Sequence, residues 1–317
     1  MRESVKNGVE LVDLLLLGFH ALALVVWVVL WPRMPQAGGA LLASSGMMVA
    51  TVVNIFQVVP RSSKVACVVR VVLVVLSCPM LYERANDLVT VLHGTPSIEH
   101  YFVALDHRLF GGNPSEWTER IHHPVLTEWL QISYVLYFFL PLVVGFFLML
   151  SGRWQLMPML LFAVLCAAHV NAVFYVFVPV RSPFFIAELP ETAHLVRYEG
   201  ELAGLWLTDT LRQMLLDSTS MRYDCFPSGH TFLTVTTLGM AYRLHRTAFW
   251  VILPVGVSIV FSTIYLRYHY LVDLVVGLVF ATLLIWLTPH FERHWVRVRA
   301  RMGVRDKEED TQRVSRA

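Results

Sequence analysis

Apolar residues in this chain come in long unbroken runs, divided by short polar breaks, with no period-two alternation of the kind that marks half-buried strands. Runs of near-spanning length occur at Leu11–Trp31, Ala40–Val59, Val65–Leu81, Trp129–Leu150 and Leu156–Val178. Three more follow at Gly229–Leu244, Thr247–Leu266 and Tyr270–Thr288. A helix needs about 20 mostly apolar residues to cross a bilayer core, so the pattern predicts eight candidate spans. The last three are separated by the Arg243–Arg246 cluster and by the break at Arg267–His269. Arg70 interrupts the third run and is expected to snorkel toward the Arg61/Lys64 end. The first run exceeds the ~7–15 residues of a signal-peptide core and lacks a clear cleavage site, so it reads as a retained span.

Composition agrees with this pattern. Of 317 residues, 56% are hydrophobic and 15% charged, with a mean hydropathy of +0.58. Soluble domains carry roughly 25% charged residues, so the fold class predicted is all-α, a polytopic membrane helix bundle. The net charge of +2 comes with no basic stripe, and no nucleic-acid partner is expected. Four scattered cysteines (Cys67, Cys78, Cys166 and Cys225) form neither a CxxC pair nor a disulfide framework.

Loop charges set an orientation. With the N-terminus cytoplasmic, the inside segments hold Arg61, Lys64, Arg153, Arg243 and Arg246, then Arg293, Arg297, Arg299, Arg301 and Arg305 in the tail. The short outside turns hold only Arg33 and Arg267. This distribution follows the positive-inside rule and predicts cytoplasmic termini. Two long segments then lie outside. Residues 82–128 carry Tyr101, Phe102, Leu105, Leu109, Phe110 and Trp117, and predict one or two amphipathic helices at the interface. Residues 181–225 carry Leu202, Leu205, Trp206, Leu211, Leu215 and Leu216 at helix-like spacing. Both segments either roof a lipid-facing pocket or pack on the bundle end.

Candidate chemistry sits at two of the span boundaries. In Asp224-Cys225-Phe226-Pro227-Ser228-Gly229-His230, Pro227 suits the first turn of a helix. Ser228 and Gly229 would leave free amides at a positive helix end, which suits an anion such as phosphate. His230 is placed to exchange a proton with a bound group. His269 and Asp273, four apart, share a helix face, so the carboxylate can accept the Nδ1 proton and leave Nε2 free as nucleophile or base. On their own, His269 and Asp273 are about as compatible with catalysis as with the alternatives, a structural hydrogen bond or a metal site; a metal would need at least one more ligand, and no HExxH or carboxylate cluster is in reach. In the predicted topology both histidines start spans on the same outer side.

The pairing of Pro227-Ser228-Gly229-His230 with Ser262, His269 and Asp273 resembles the type 2 phosphatidic acid phosphatase superfamily of membrane lipid phosphatases and phosphotransferases. Its motifs are Pro-Ser-Gly-His and Ser-Arg-x5-His-x3-Asp. The resemblance implies a six-helix phosphatase-like core and a metal-independent, cofactor-free reaction. His269 would form a phosphohistidine oriented by Asp273, and His230 would protonate the leaving alcohol and then activate the acceptor. Ser228 and Gly229 would hold phosphate oxygens. The family arginine after the serine is Thr263 here, with Arg267 two residues before His269. The first motif reduces to Arg181-Ser182-Pro183, with Phe174 at the lysine position. The resemblance then makes Arg181 and Arg267 the phosphate-binding guanidiniums. This set is most similar to the inositolphosphotransferase branch, which includes inositol phosphorylceramide synthases, and Leu105–Pro114 resembles the segment before its core. Sphingomyelin synthases share the same His, His and Asp logic.

The organisation expected is N-terminal spans with an outer amphipathic segment (1–128), a catalytic membrane core (129–289) and a basic cytoplasmic tail (290–317). The expected partners are a membrane lipid phosphate and water or an alcohol or polyol acceptor, with the active site on the extracytoplasmic side. A non-catalytic lipid transporter or scaffold is the alternative. It predicts polar intramembrane groups running through the bilayer, whereas Arg181, His230, Arg267, His269 and Asp273 gather at one end.

Overall fold

The structure, a computed structural model, describes residues 8–34, 38–58, 63–217 and 223–301. It is a helical bundle with no named strand among these residues; Val180 and Asp224 form one isolated parallel bridge. The main helices are α1 (Leu11–Leu30), α2 (Gly38–Val53), α3 (Ser63–His93), α4 (Glu99–Phe110), α5 (Pro124–Val135) and α6 (Leu140–Leu150). They are followed by α7 (Met157–Phe177), α8 (Thr208–Asp217), α9 (Gly229–Leu244), α10 (Arg246–Tyr265) and α11 (Leu271–Arg301). Among the described residues, six segments are long and apolar enough to cross a membrane, with α5 and α6 joined as one, Pro124–Leu150. The expected spans at Val65–Leu81 and Gly229–Leu244 lie on α3 and α9, of 31 and 16 residues, outside those six.

At the centre lies α7, with 15 of its 21 residues buried. It packs against α1 and α3 on one side and α9 and α11 on the other. Apolar side chains such as Leu22, Leu42, Phe146, Leu150, Trp250 and Trp286 point outward instead, as a lipid-facing surface requires. Both expected breaks are present. His245 ends α9 and caps α10 by accepting from the Ala248 amide, and the chain turns between Leu266 and Tyr270.

Several details differ from the sequence reading. Arg70 does not snorkel. It is 5% exposed, donates to both carboxylate oxygens of Asp13 at 2.8 and 2.7 Å, and also reaches the Gly8 carbonyl. A buried guanidinium is tolerable only when paired in this way. Residues 82–93 continue α3 and do not start a separate outer helix. The amphipathic helix of this segment is α4, with Tyr101, Leu105 and Leu109 exposed and Phe102 turned inward against Phe226 and Tyr270. The expected tail at 290 is still helical, since α11 runs through Pro289 to Arg301. Arg61, and the tail from Arg305 onward, lie outside the described residues.

Polar groups deeper in the bundle satisfy one another. Ser77 Oγ bridges His20 Nε2 and His169 Nε2, both at 2.9 Å, across α1, α3 and α7. Such contacts act as interhelical glue. At the far end, Arg299 pairs with Glu10 at 3.7 Å and Trp295 donates to the Val9 carbonyl. The N-terminal segment therefore meets the distal part of α11, 26 residues from Asp273, or ~39 Å at 1.5 Å per residue.

Candidate active site

Several chain segments converge at the opposite end of the bundle. The loop 223–228 leads into α9, whose N-cap is Ser228; its Oγ accepts from the Thr231 amide at 3.3 Å. Pro227 therefore precedes the cap and does not occupy the first helical turn. A second loop, 266–270, leads into α11 through the one described non-glycine residue with positive φ, Arg267 at 65°. The Thr263 carbonyl accepts from the amides of Tyr268 and His269 at 2.9 and 3.0 Å, so the residue at the family's arginine position closes this turn with its backbone. The first loop is tied to the start of α11 by the Ser228 amide, which donates to the Asp273 carbonyl at 3.2 Å.

Asp106 of α4 fixes the start of α11. Its fully buried carboxylate accepts from the amides of Leu271 at 2.9 Å and Val272 at 3.0 Å. Two orphan donors of the helix carrying Asp273 are thus satisfied from a residue far earlier in the chain. Burial pushes the Asp106 carboxyl up to about 6, although those two amides oppose the shift.

His269 Nδ1 lies 2.9 Å from the Cys225 carbonyl and 3.5 Å from Asp273 Oδ2. A carbonyl can only accept, so the proton belongs on Nδ1 and Nε2 keeps its lone pair. Asp273, expected as the direct orienting partner, stands slightly farther away than that carbonyl. Its Oδ2 also accepts from the Tyr270 amide and the Cys225 thiol, both at 3.0 Å. Burial, then the neighbouring Asp273, push the Cys225 thiol well up.

The His230 ring centroid is 5.9 Å from that of His269. Tyr134 stacks on His230 at 3.8 Å and Tyr137 lies at the same distance, tilted. His230 Nε2 is buried and has no hydrogen-bond partner among the described residues. Both histidines line a cavity of about 310 Å³ together with Asp224, Arg212, Ser182 and the rings of Tyr82, Tyr134, Tyr137, Tyr175 and Tyr268. Leu215 and Leu216 of α8 complete its apolar wall, so the 181–225 segment does roof a pocket. Burial pushes Asp224 up to about 6, against the pull of His269.

The other expected ligands stand close by, outside the cavity lining. Arg181 Nε donates to buried Glu99 at 2.7 Å, and Arg267 donates to Glu119 at 2.6 Å and to the Gly200 carbonyl while stacking on Tyr198 at 3.8 Å. Each backbone adjoins a lining residue, Ser182 and Tyr268 respectively. Ser228 commits its amide to the Asp273 carbonyl and its hydroxyl to the Thr231 amide. Gly229 has a packing role: a Cβ there would lie 2.6–2.7 Å from Asn171 Nδ2 and the Tyr175 and Tyr82 hydroxyls.

Sequence reasoning missed Arg212, the guanidinium that does line the cavity, and Glu128. The Glu128 carboxylate accepts from four successive amides, Leu205 to Thr208, and from the Thr208 hydroxyl, tying α8 to α5. The signal available for Arg212 was its place on the polar side of an amphipathic helix.

A family model described as the PAP2 superfamily matches residues 100–287, more than half of the chain. No curated protein and no solved structure matches. The match starts well before the expected core boundary at 129 and takes in α4 and Asp106.

Proposed function

The chain belongs to the PAP2 superfamily, and from that footing we propose an integral membrane enzyme that cleaves or transfers the phosphate of a lipid ester through a histidine-bound intermediate. Membership implies a phosphatase-type reaction on a phosphate ester, with water as acceptor. The observation that carries the finer reading is the pair of histidine rings 5.9 Å apart in one aromatic-walled cavity at the bundle end.

In this mechanism His269 Nε2 attacks phosphorus, and the P–O bond to the leaving alcohol breaks. His230 delivers the proton that the leaving oxygen takes up. His230 then removes a proton from the acceptor, whose oxygen displaces His269 and restores its lone pair. The Cys225 carbonyl and Asp273 keep the proton on Nδ1 throughout. Charge on the phosphoryl oxygens is met by Arg212, and by Arg181 and Arg267 once phosphate replaces Glu99 and Glu119 as their partners. The end of α9 at Ser228 and Gly229 adds its positive dipole. No step uses a metal. Water as acceptor makes the enzyme a lipid phosphatase. An alcohol or polyol makes it a phosphotransferase, the outcome favoured by Phe174, Thr263 and Arg267 at their motif positions. Val9 and Glu10, among the first described residues, meet the end of α11 remote from the cavity, which supports cytoplasmic termini and an extracytoplasmic site.

A transporter would need a polar path open through the bilayer. The deeper polar groups instead close on each other at helix interfaces, which favours the enzyme. The test is a panel of phosphate-bearing lipids given to purified protein with and without polyols, with products read by mass spectrometry. Free phosphate without a polyol identifies a phosphatase, and a new phosphoester only with polyol identifies a transferase. No product from intact protein would refute both.

A further inference from the structure

We propose that Cys225, His269 and Asp273 form a three-ligand site for a thiophilic divalent cation of the zinc class, and that occupancy switches the enzyme off. Binding stands on geometry alone; the inhibitory consequence rests on His269 being the nucleophile.

Three donor atoms of different types face one another: Cys225 Sγ to Asp273 Oδ2 at 3.0 Å, Cys225 Sγ to His269 Nδ1 at 3.6 Å, and His269 Nδ1 to Asp273 Oδ2 at 3.5 Å. Ordinary zinc bond lengths at tetrahedral angles place sulfur, nitrogen and oxygen donors about 3.3–3.6 Å apart. The triangle thus needs adjustments of only about 0.5 Å or less to become one face of a tetrahedron. All three residues are buried. Asp273 also has a second, fully buried oxygen, Oδ1, with no hydrogen-bond partner among the described residues. One outer contact that holds a ligand is present, since the Tyr270 amide donates to Asp273 Oδ2 at 3.0 Å. Of the three ligands His269 lines the cavity, the side from which an ion and a water for its fourth position would enter.

Charge and protons balance. The ion carries +2, and the Cys225 thiolate and Asp273 carboxylate together carry −2, so the buried set is neutral. The thiol loses one proton to solvent. The imidazole loses the Nδ1 proton and gains one on Nε2, because neutral histidine bound through Nδ1 is protonated at Nε2. Nε2 is the nitrogen that must attack phosphorus. A cation here therefore does more than crowd the site: it converts the nucleophile into a donor.

The experiment uses the full chain in detergent, titrated with Co²⁺ as a spectroscopic probe and with Zn²⁺ in competition. We expect one ion per chain, a thiolate-to-cobalt charge-transfer band that Zn²⁺ bleaches, and its loss in Cys225→Ser. Zn²⁺ should suppress turnover reversibly to chelator. Cys225→Ser, whatever its own rate, should need at least ~10-fold more Zn²⁺, since loss of even an outer partner weakens metal affinity 10–100-fold. X-ray absorption at the zinc edge of the unsubstituted protein needs no variant and should show one sulfur in the shell. An all-nitrogen/oxygen shell with no charge-transfer band would overturn the site. A sulfur-containing shell with no effect on turnover would overturn the switch, and both spectroscopic readings stand even if the lipid panel yields no product.

Discussion

Asp106→Ala removes the acceptor of two buried amides at the start of α11 without touching the cavity lining. Each amide left unpaired costs about 1–3 kcal/mol, and a lost helix cap about 0.5–2 kcal/mol. Asp106 is itself a buried carboxylate whose removal relieves desolvation, which its upward-shifted carboxyl reflects. The net expectation is therefore near the lower end, about 2 kcal/mol, or roughly a 4–8 °C fall in melting temperature. Asp106→Asn keeps one acceptor oxygen and should lose about half as much. The same helix start positions Asp273 and, one turn away, His269, and misplacement of a catalytic group by ~1 Å can cost ~100-fold in rate. Thermal unfolding in detergent, with kcat measured well below both transitions, separates the two effects. Asp106→Ala matching the parent in both melting temperature and kcat would refute the capping argument.

Two further predictions follow from buried charge. Arg70→Met strands Asp13 in the bundle and should cost about 3–5 kcal/mol, while the Asp13→Leu/Arg70→Met double variant should recover most of the loss in a denaturation series; a single variant as stable as the parent would contradict the pairing. Asp224 faces the cavity with its carboxyl raised to about 6 by burial. It is neutral below that pH and repels an anionic phosphate above it, so KM should climb as pH passes upward through about 6. Asp224→Asn should flatten that limb, and an unaltered profile would refute the assignment. The folded state holds this proton more tightly than the unfolded chain, so Asp224 also contributes less stability as pH rises toward 6.

Local signals in the sequence carried well into the structure. The polar clusters at Arg243–Arg246 and Arg267–His269 do split the last apolar stretch, because a membrane helix cannot bury such groups cheaply. His230 and His269, legible as motif residues, do share a cavity. Pairings that depend on distant residues were not legible. Arg70 reads as a snorkelling residue until Asp13, 57 positions earlier, is folded against it. Asp106 caps amides 165 and 166 positions later, and Cys225 meets Asp273 across 48. The family resemblance singled out Arg181 and Arg267, but only tertiary structure reveals that Glu99 and Glu119 already hold them, while Arg212, paired with Asp209, lines the cavity.

The most direct test of the central claim is to quench the enzyme during turnover on the lipid substrate identified by the panel, then read the peptide containing His269 by mass spectrometry. A phosphoryl-type adduct on His269, absent from His269→Ala together with turnover, is the predicted result. Full turnover by a folded His269→Ala variant, or an adduct on another residue, would contradict the mechanism.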